Sequence, residues 1–259
     1  GRFRQDGFVF GMIAGGKNEE LYIAGTNEIL SVDTKVKDGF TANFKGRKSG
    51  VSGVTRMVVD NQNNLWVATH HDGVYKLGVD GTEEHFGTEE DEMHLIPTNE
   101  VLGLAVYGDT ILACLGYEGL YLFQGGMKPD PVYSAKTLAA KGWTKCKLRD
   151  VRMNSNWIFF STKDQGVRYL NRKTNALSQL NEDNGLFQNG IAGIEIDKHG
   201  IIWIADVEGL TRFDASTNSI ESFSAKRSLP ETGFYNGAHA VNTLGIIYFS
   251  NHTHLISID

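Results

Sequence analysis

The 259-residue sequence is short of the features that mark several familiar protein classes. It holds four prolines, too few for a Pro-rich linker, and no window of a dozen residues keeps a 3.6-residue apolar period. Long amphipathic helices are thereby excluded. The longest apolar runs, such as IIWIA at 201–205, fall far short of the roughly 20 residues a membrane-spanning helix needs. Direct membrane insertion by this segment is not expected. Lys and Arg occur only singly or in scattered pairs, and the formal net charge is −6, which argues against nucleic acid or an anionic membrane surface as partner. GxSxG, HExxH and a Gly-rich phosphate loop are all missing, so no nucleophile elbow, zincin helix or nucleotide cradle is expected, and no cofactor is implied. Only two cysteines are present. Cys114 lies in the strand-like ILACLG, where sister segments carry Ala or Ser, and reads as a free buried thiol rather than half of a disulfide.

What is plentiful is glycine, with 30 residues, in a chain that is 41% hydrophobic and 10% aromatic. Such a chain buries a large core, and so much glycine beside so little proline points to many tight reversals. The fold class expected is all-β.

Sliding GIIWIADVEGLTRFD (200–214) along the chain finds five relatives: EELYIAGTNEILSVD (19–33), NNLWVATHHDGVYKL (63–77), DTILACLGYEGLYLF (109–123), NWIFFSTKDQGVRYL (156–170) and GIIYFSNHTHLISID (245–259). The anchors Tyr22, Trp66, Leu112, Phe159, Trp203 and Tyr248 are spaced 44, 46, 47, 44 and 45 residues apart. An apolar strand precedes each pair, and an aromatic-tipped strand such as EEHF or IESF usually follows. Four strands in about 45 residues is the signature of a propeller blade, so residues 1–259 read as one β-propeller domain of six repeats, with a seven-bladed parent as the alternative. The last repeat stops after its third strand, and the N-terminal segment GRFRQDG is expected to complete it.

Local chemistry fits four-stranded blades. Asp60 and Asp197 are placed to accept hydrogen bonds from turn amides before the second strand. Gly73, Gly119, Gly166 and Gly209 open the third strand, where positive φ is expected; Glu28 and His254 replace that glycine in the first and last copies. On the first strands one alternating series is apolar (Ile13, Met57, Leu104, Val151, Ile194), with His239 as its exception.

These residues resemble the two-component regulator propeller repeats found in extracytoplasmic sensor regions of hybrid histidine kinases, especially from gut Bacteroidetes. The match is carried by IAGIEIDKHGIIWIADVEGLTRFDASTNSIESF, VTRMVVDNQNNLWVATHHDGVYKL and NEDNGLFQNGIAGI, and by the closing ETGFYNGAHAVNTLGIIYFSNHTHLISID. The resemblance implies a periplasmic or extracellular sensing module that responds to a carbohydrate-like ligand and signals, through neighbouring domains of the same sensor chain, to a cytoplasmic kinase. Family propellers commonly have seven blades, whereas six repeats are visible here, and no kinase, receiver or membrane segment lies within the sequence. The chain begins at Gly1 rather than Met and reads as a processed product or an excised piece.

Two groups of residues are candidates for function. The connections between second and third strands supply His70, His71, Asp72, Tyr117, Lys163, Asp164, Asp206, Glu208, Asn251 and His252, whose polar groups suit the hydroxyls of an oligosaccharide; the bland alternative is a set of solvated turns. Arg56, Asp150, Arg152 and Glu195 are expected to line the central channel, where they either pair with one another or form a carboxylate or sugar site. The histidines of these connections lack a companion Cys or carboxylate at metal-motif spacing, so no metal site is expected. A glycosidase would need facing carboxylates, for which Asp72, Asp164, Asp206 and Glu208 are available; a non-catalytic role is preferred, with a secreted carbohydrate-active lyase or hydrolase and a protein-docking propeller as alternatives.

Overall fold

The computed structural model describes residues 11–14, 21–25, 27–33, 43–124, 127–141, 143, 146–224, 229, 233–235, 237–242, 244–251 and 253–259. Within them lie six antiparallel sheets, one for each sequence repeat, in a β-propeller fold of six blades. Blade 1 comprises Gly11–Ala14, Leu21–Ala24, Glu28–Asp33 and Asn43–Ser49; blade 2 comprises Val54–Val59, Leu65–Thr69, Val74–Leu77 and Glu83–Phe86. Blade 3 has Gly103–Tyr107, Thr110–Leu115, Gly119–Phe123 and Asp130–Ser134, and a short helix, Ala135–Ala140, follows it. Blade 4 has Leu148–Met153, Trp157–Thr162, Val167–Asn171 and Leu177–Leu180; blade 5 has Ile191–Ile196, Ile202–Asp206, Gly209–Asp214 and Ser219–Ser224. Blade 6 contributes His239–Val241, Ile247–Ser250 and Leu255–Ile258. The strand expected from residues 1–7 lies outside the described residues. The chain forms two compact units, Gly1–Ala135 with blades 1 to 3 and Lys136–Asp259 with blades 4 to 6.

The second strands of blades 2 and 5, one in each unit, are apolar on both faces because both faces are covered. Leu65 and Val67 of blade 2 pack with Tyr22, Ala24 and Ile29 of blade 1, while the alternate residues Trp66 and Ala68 pack with Leu104, Ile111 and Ala113 of blade 3. In the second unit Ile202 and Ile204 pack with Phe159 and Val167 of blade 4, and Trp203 and Ala205 with Ile247 and Phe249 of blade 6. Burying such a side chain fully contributes about 1.5–3 kcal/mol. The strand period of two therefore sorts residues between two neighbours rather than between core and water. Both thiols are buried and neither is in a disulfide, Cys114 in the first unit and Cys146 in the second.

The turn between first and second strands is a repeated device. Asp60 Oδ1 accepts from the amides of Gln62 (2.9 Å) and Asn64 (2.8 Å), and its Oδ2 accepts from Asn64 Nδ2 (2.9 Å) and the indole Nε1 of Trp66 (2.9 Å). Asp197 does the same for the amides of His199 and Ile201 and for Trp203 Nε1 at 3.1 Å. In blades 4 and 6, Asn154 and Asn242 cap the turn amides in the same way. The aspartate thus holds the turn and fixes the ring that anchors the next strand, two jobs for one carboxylate.

The glycines that open the third strands answer a second constraint. A Cβ at Gly73, Gly119, Gly166 or Gly209 would lie 1.9, 2.0, 2.3 or 2.1 Å from the carbonyl oxygen of Phe86, Tyr133, Leu180 or Phe223 on the fourth strand. Three of the four have positive φ, but Gly209 does not, so close approach of the fourth strand is the requirement common to all. The expectation of positive φ thus holds at Gly73, Gly119 and Gly166 and is corrected at Gly209.

Two outcomes are expected. Gly209→Ala, free of any φ penalty, should lower stability by about 1–3 kcal/mol in urea denaturation, as overpacking does elsewhere. Asp60→Ala strands a buried indole N–H and two turn amides, each such loss costing about 1–3 kcal/mol. An unchanged urea midpoint would count against the capping role.

Candidate functional site

The connections joining second to third strands are built on a shared capping position, the last residue of the second strand or, in blade 6, the residue after it. Thr69 and Thr162 each use Oγ1 to donate to the carbonyl of Gly73 or Gly166 (3.0 and 2.9 Å) and to accept from the amide of Asp72 or Gln165 (2.8 and 2.9 Å). Asp206 and Asn251 occupy this position in blades 5 and 6. Asp206 is fully buried; its Oδ1 accepts from the amides of Glu208 (2.7 Å) and Gly209 (3.0 Å), and its Oδ2 from Gln188 N at 3.3 Å. Asn251 is buried too, and its Oδ1 accepts from the amides of Thr253 (3.0 Å) and His254 (2.7 Å). Two of the ten connection residues read from the sequence therefore have their side-chain oxygens engaged by the backbone.

The others are more open. Lys163, Asp164 and Glu208 are exposed, as is Tyr117. His70 and His71 bring their Nδ1 atoms within 3.4 Å of each other, and His70 Nε2 faces Glu100 Oε1 at 3.5 Å. Asp72 accepts from the Tyr75 hydroxyl and lies 3.6 Å from His85 Nε2. Burial, reinforced by Asp72, pushes the Tyr75 hydroxyl above its ordinary range. His252 lies outside the described residues. Among the described residues, no group of three or more His, Cys, Asp and Glu is placed to hold a metal ion.

The charged residues of the first strands form a compact cluster in the second unit. Arg152 on blade 4 makes a bidentate pair with Glu195 on blade 5, through Nε to Oε2 (2.7 Å) and Nη2 to Oε1 (2.8 Å). Its Nη1 donates to Asp150 Oδ1 at 2.7 Å and to the Val151 carbonyl at 2.6 Å. His239 on blade 6 sets Nδ1 2.9 Å from Glu195 Oε1 and Nε2 3.4 Å from Asp150 Oδ2. Both ring nitrogens thus face carboxylate oxygens. Side-chain exposure is 1% for Glu195, 2% for His239 and 9% for Arg152, so these charges are matched almost out of water. Burial alone would push the Arg152 guanidinium down; Asp150 and Glu195 outweigh it and hold it above its ordinary value. Arg56, the fourth residue of this group, is half-buried on the first strand of blade 2, in the other unit.

The sequence marks His239 as a satisfied core histidine rather than a ligand, and so it is, but does not show that its partners are Glu195 and Asp150. Its place in an apolar series marks a core residue, and the space for its ring comes from Gly193, where a Cβ would lie 2.3 Å from His239 Cδ2. A glycine opposite the one polar residue of an apolar series is the signal that was available.

No family model matches the chain, and no curated protein does. Solved structures do. The extracellular domain of BT3049 from B. thetaiotaomicron, assigned to a hybrid two component system, matches 95% of this chain at 17% identity with a TM-score of 0.74. That of BT4673 from the same organism matches 98% at 14% identity and 0.73. This chain spans about a third of the length of each, 33% and 35%. The virginiamycin B lyase of Staphylococcus aureus matches 98% of this chain, and 84% of its own, at 11% identity and 0.69. At these identities the likeness is one of fold.

Burial raises the Asp206 carboxyl above the usual carboxylate range, against the lowering effect of the three amides. A carboxyl raised on folding binds more protons folded than unfolded, so it makes stability fall as pH rises from its ordinary value through its folded one. Asp206→Asn keeps Oδ1 for Glu208 and Gly209, as Asn251 does in blade 6. It should flatten that slope in a urea-midpoint profile while changing stability at pH 7 by no more than about 1 kcal/mol. Arg152→Met leaves two buried carboxylates without their cation and should cost about 3–5 kcal/mol. Adding Glu195→Met should recover part of that loss in a double-mutant cycle.

Proposed function

We propose that this chain is a non-catalytic sensing propeller from the extracytoplasmic part of a hybrid two-component histidine kinase, one that responds to a carbohydrate and passes the signal through neighbouring domains to the kinase. The observation that carries this reading is the fold shared over 95–99% of the chain with extracellular domains from hybrid or one component systems of B. thetaiotaomicron. Their greater length supplies room for partner domains. A periplasmic or extracellular setting accords with this, as does the finding that no helix among the described residues is long and apolar enough to cross a membrane. The exposed polar connections bearing Tyr117, Lys163, Asp164 and Glu208 suit sugar hydroxyls or a partner domain.

The likeness to virginiamycin B lyase favours a second reading, an enzyme on the same scaffold. Against it stands the engagement of Asp206 by three backbone amides, which removes one of the carboxylates that a paired acid and base would use.

A thermal-shift screen with oligosaccharides separates the two. A sensing propeller should melt higher with one sugar class and leave it chemically intact; at a hundredfold excess over Kd the stabilisation is about 2.7 kcal/mol. Sugar cleavage that disappears in Asp164→Asn would establish the enzyme instead.

A further inference from the structure

We infer that His70 and His71, in the connection between the second and third strands of blade 2, chelate a tetrahedral divalent transition-metal ion of the zinc class through their Nδ1 atoms. The two nitrogens lie 3.4 Å apart. With Zn–N bonds of about 2.0–2.1 Å, that separation spans an N–Zn–N angle of about 108–116°, near the tetrahedral value of about 109°. A square-planar copper site, with its right angle, needs the nitrogens about 2.9 Å apart, so the pair suits zinc better.

The backbone that carries the pair is tied down at both ends. Thr69 Oγ1 accepts from the Asp72 amide at 2.8 Å and donates to the Gly73 carbonyl at 3.0 Å, while His70 N donates to the Gly53 carbonyl at 2.8 Å. Gly53, at φ 64°, lies behind both histidines: a Cβ there would stand 3.6 Å from His70 Cβ and 4.0 Å from His71 Cδ2. Little backbone freedom therefore remains to be lost when an ion binds. His71 is exposed and His70 half-buried, so the ion arrives directly from solvent.

Glu100 supplies the outer support that a zinc-binding histidine needs. Gly73 N donates to the Asn99 carbonyl at 3.0 Å and Val101 N to the Thr69 carbonyl at 2.9 Å, so the residues on either side of Glu100 are bonded to the connection that holds the histidines. Glu100 Oε1 lies 3.5 Å from His70 Nε2. A carboxylate beside the far nitrogen favours the proton there and leaves Nδ1 its lone pair for the metal. His71 Nδ1–H can donate to that lone pair in the metal-free protein; on binding, His71 carries its proton on Nε2 instead. Glu100 stands 30 residues beyond His70, which is why motif spacing did not point to it. Asp72 is not a third ligand, because its carboxylate accepts from the Tyr75 hydroxyl and lies 3.6 Å from His85 Nε2. The protein thus gives two ligands, and the other positions go to water or to a donor atom of a bound molecule. All these residues belong to the first unit, and none of this depends on the sensor reading.

The test is titration of the whole chain, labelled with 15N at its histidines, with ZnCl2, using MgCl2 and CaCl2 as controls because those hard cations take oxygen ligands. Zinc should bind saturably and move the Nδ1 resonances of His70 and His71 into the metal-bound range while their Nε2 atoms keep a proton. CoCl2 should give the strong visible d–d absorption of tetrahedral cobalt. His70→Ala and His71→Ala, checked for unchanged melting, should each weaken zinc binding about tenfold or more, a loss of about 1.4 kcal/mol. His71→Gln, which keeps bulk without the imidazole, repeats the test should an alanine variant melt lower. Glu100→Gln should weaken binding about tenfold with Nδ1 ligation retained. His199→Ala, at an exposed position in the other unit, should leave binding unchanged. Zinc binding undiminished by loss of either histidine, ligation through Nε2, the weak absorption of octahedral cobalt, or magnesium bound as tightly as zinc overturns the proposal, while leaving the sensor reading standing.

Discussion

Burial of both faces of the second strands in blades 2 to 5 is the constraint from which the remaining features follow. Leu65–Thr69 and Ile202–Asp206 are buried along their whole length, with alternate residues given to opposite neighbours. Nothing polar can stand in the middle of such a strand without a partner. Polar groups are therefore driven to the strand ends, where they cap turns, or onto the first strands, where Arg152, Asp150, Glu195 and His239 satisfy one another. The same constraint pulls the fourth strand close against the third, and glycine is the residue that allows it.

Capping and recognition compete for the same residue types, which governs where function can reside. At the ends of the second strands Thr69, Thr162, Asp206 and Asn251 perform one structural task with three chemistries. Exposed residues just beyond them, such as Lys163 and Glu208, are not held in this way. The opposite ends differ. There the capping aspartate also fixes an indole, so one structural bond orients the buried ring that anchors the next strand.

Much of the fold was legible in the sequence because it repeats. The six anchors and the turn glycines recur at nearly constant spacing, and the packing of Ile202 and Ile204 on one neighbour and Trp203 on the other follows from strand alternation. The site was less legible, for reasons of chemistry. An aspartate that caps a turn and one that greets a ligand look alike in sequence; only the amides 2.7 and 3.0 Å from Asp206 distinguish them. The bond from Asp60 to Trp66 spans six residues and depends on a turn geometry that composition does not encode. Arg152, Glu195 and His239 lie more than 40 residues apart along the chain and meet because successive first strands adjoin.

The two buried thiols acquire a meaning from the division into units. Cys114, on the second strand of blade 3, is wholly buried, and Cys146 lies beside Arg168, whose guanidinium stacks on Trp143 at 3.8 Å. Burial pushes the Cys146 thiol up, which makes it a poor nucleophile while the fold is closed. Each half of the chain thus carries one buried sulfur, reached only when the structure around it opens. Alkylation followed by peptide mapping would report the opening around each sulfur separately, with no label introduced by design.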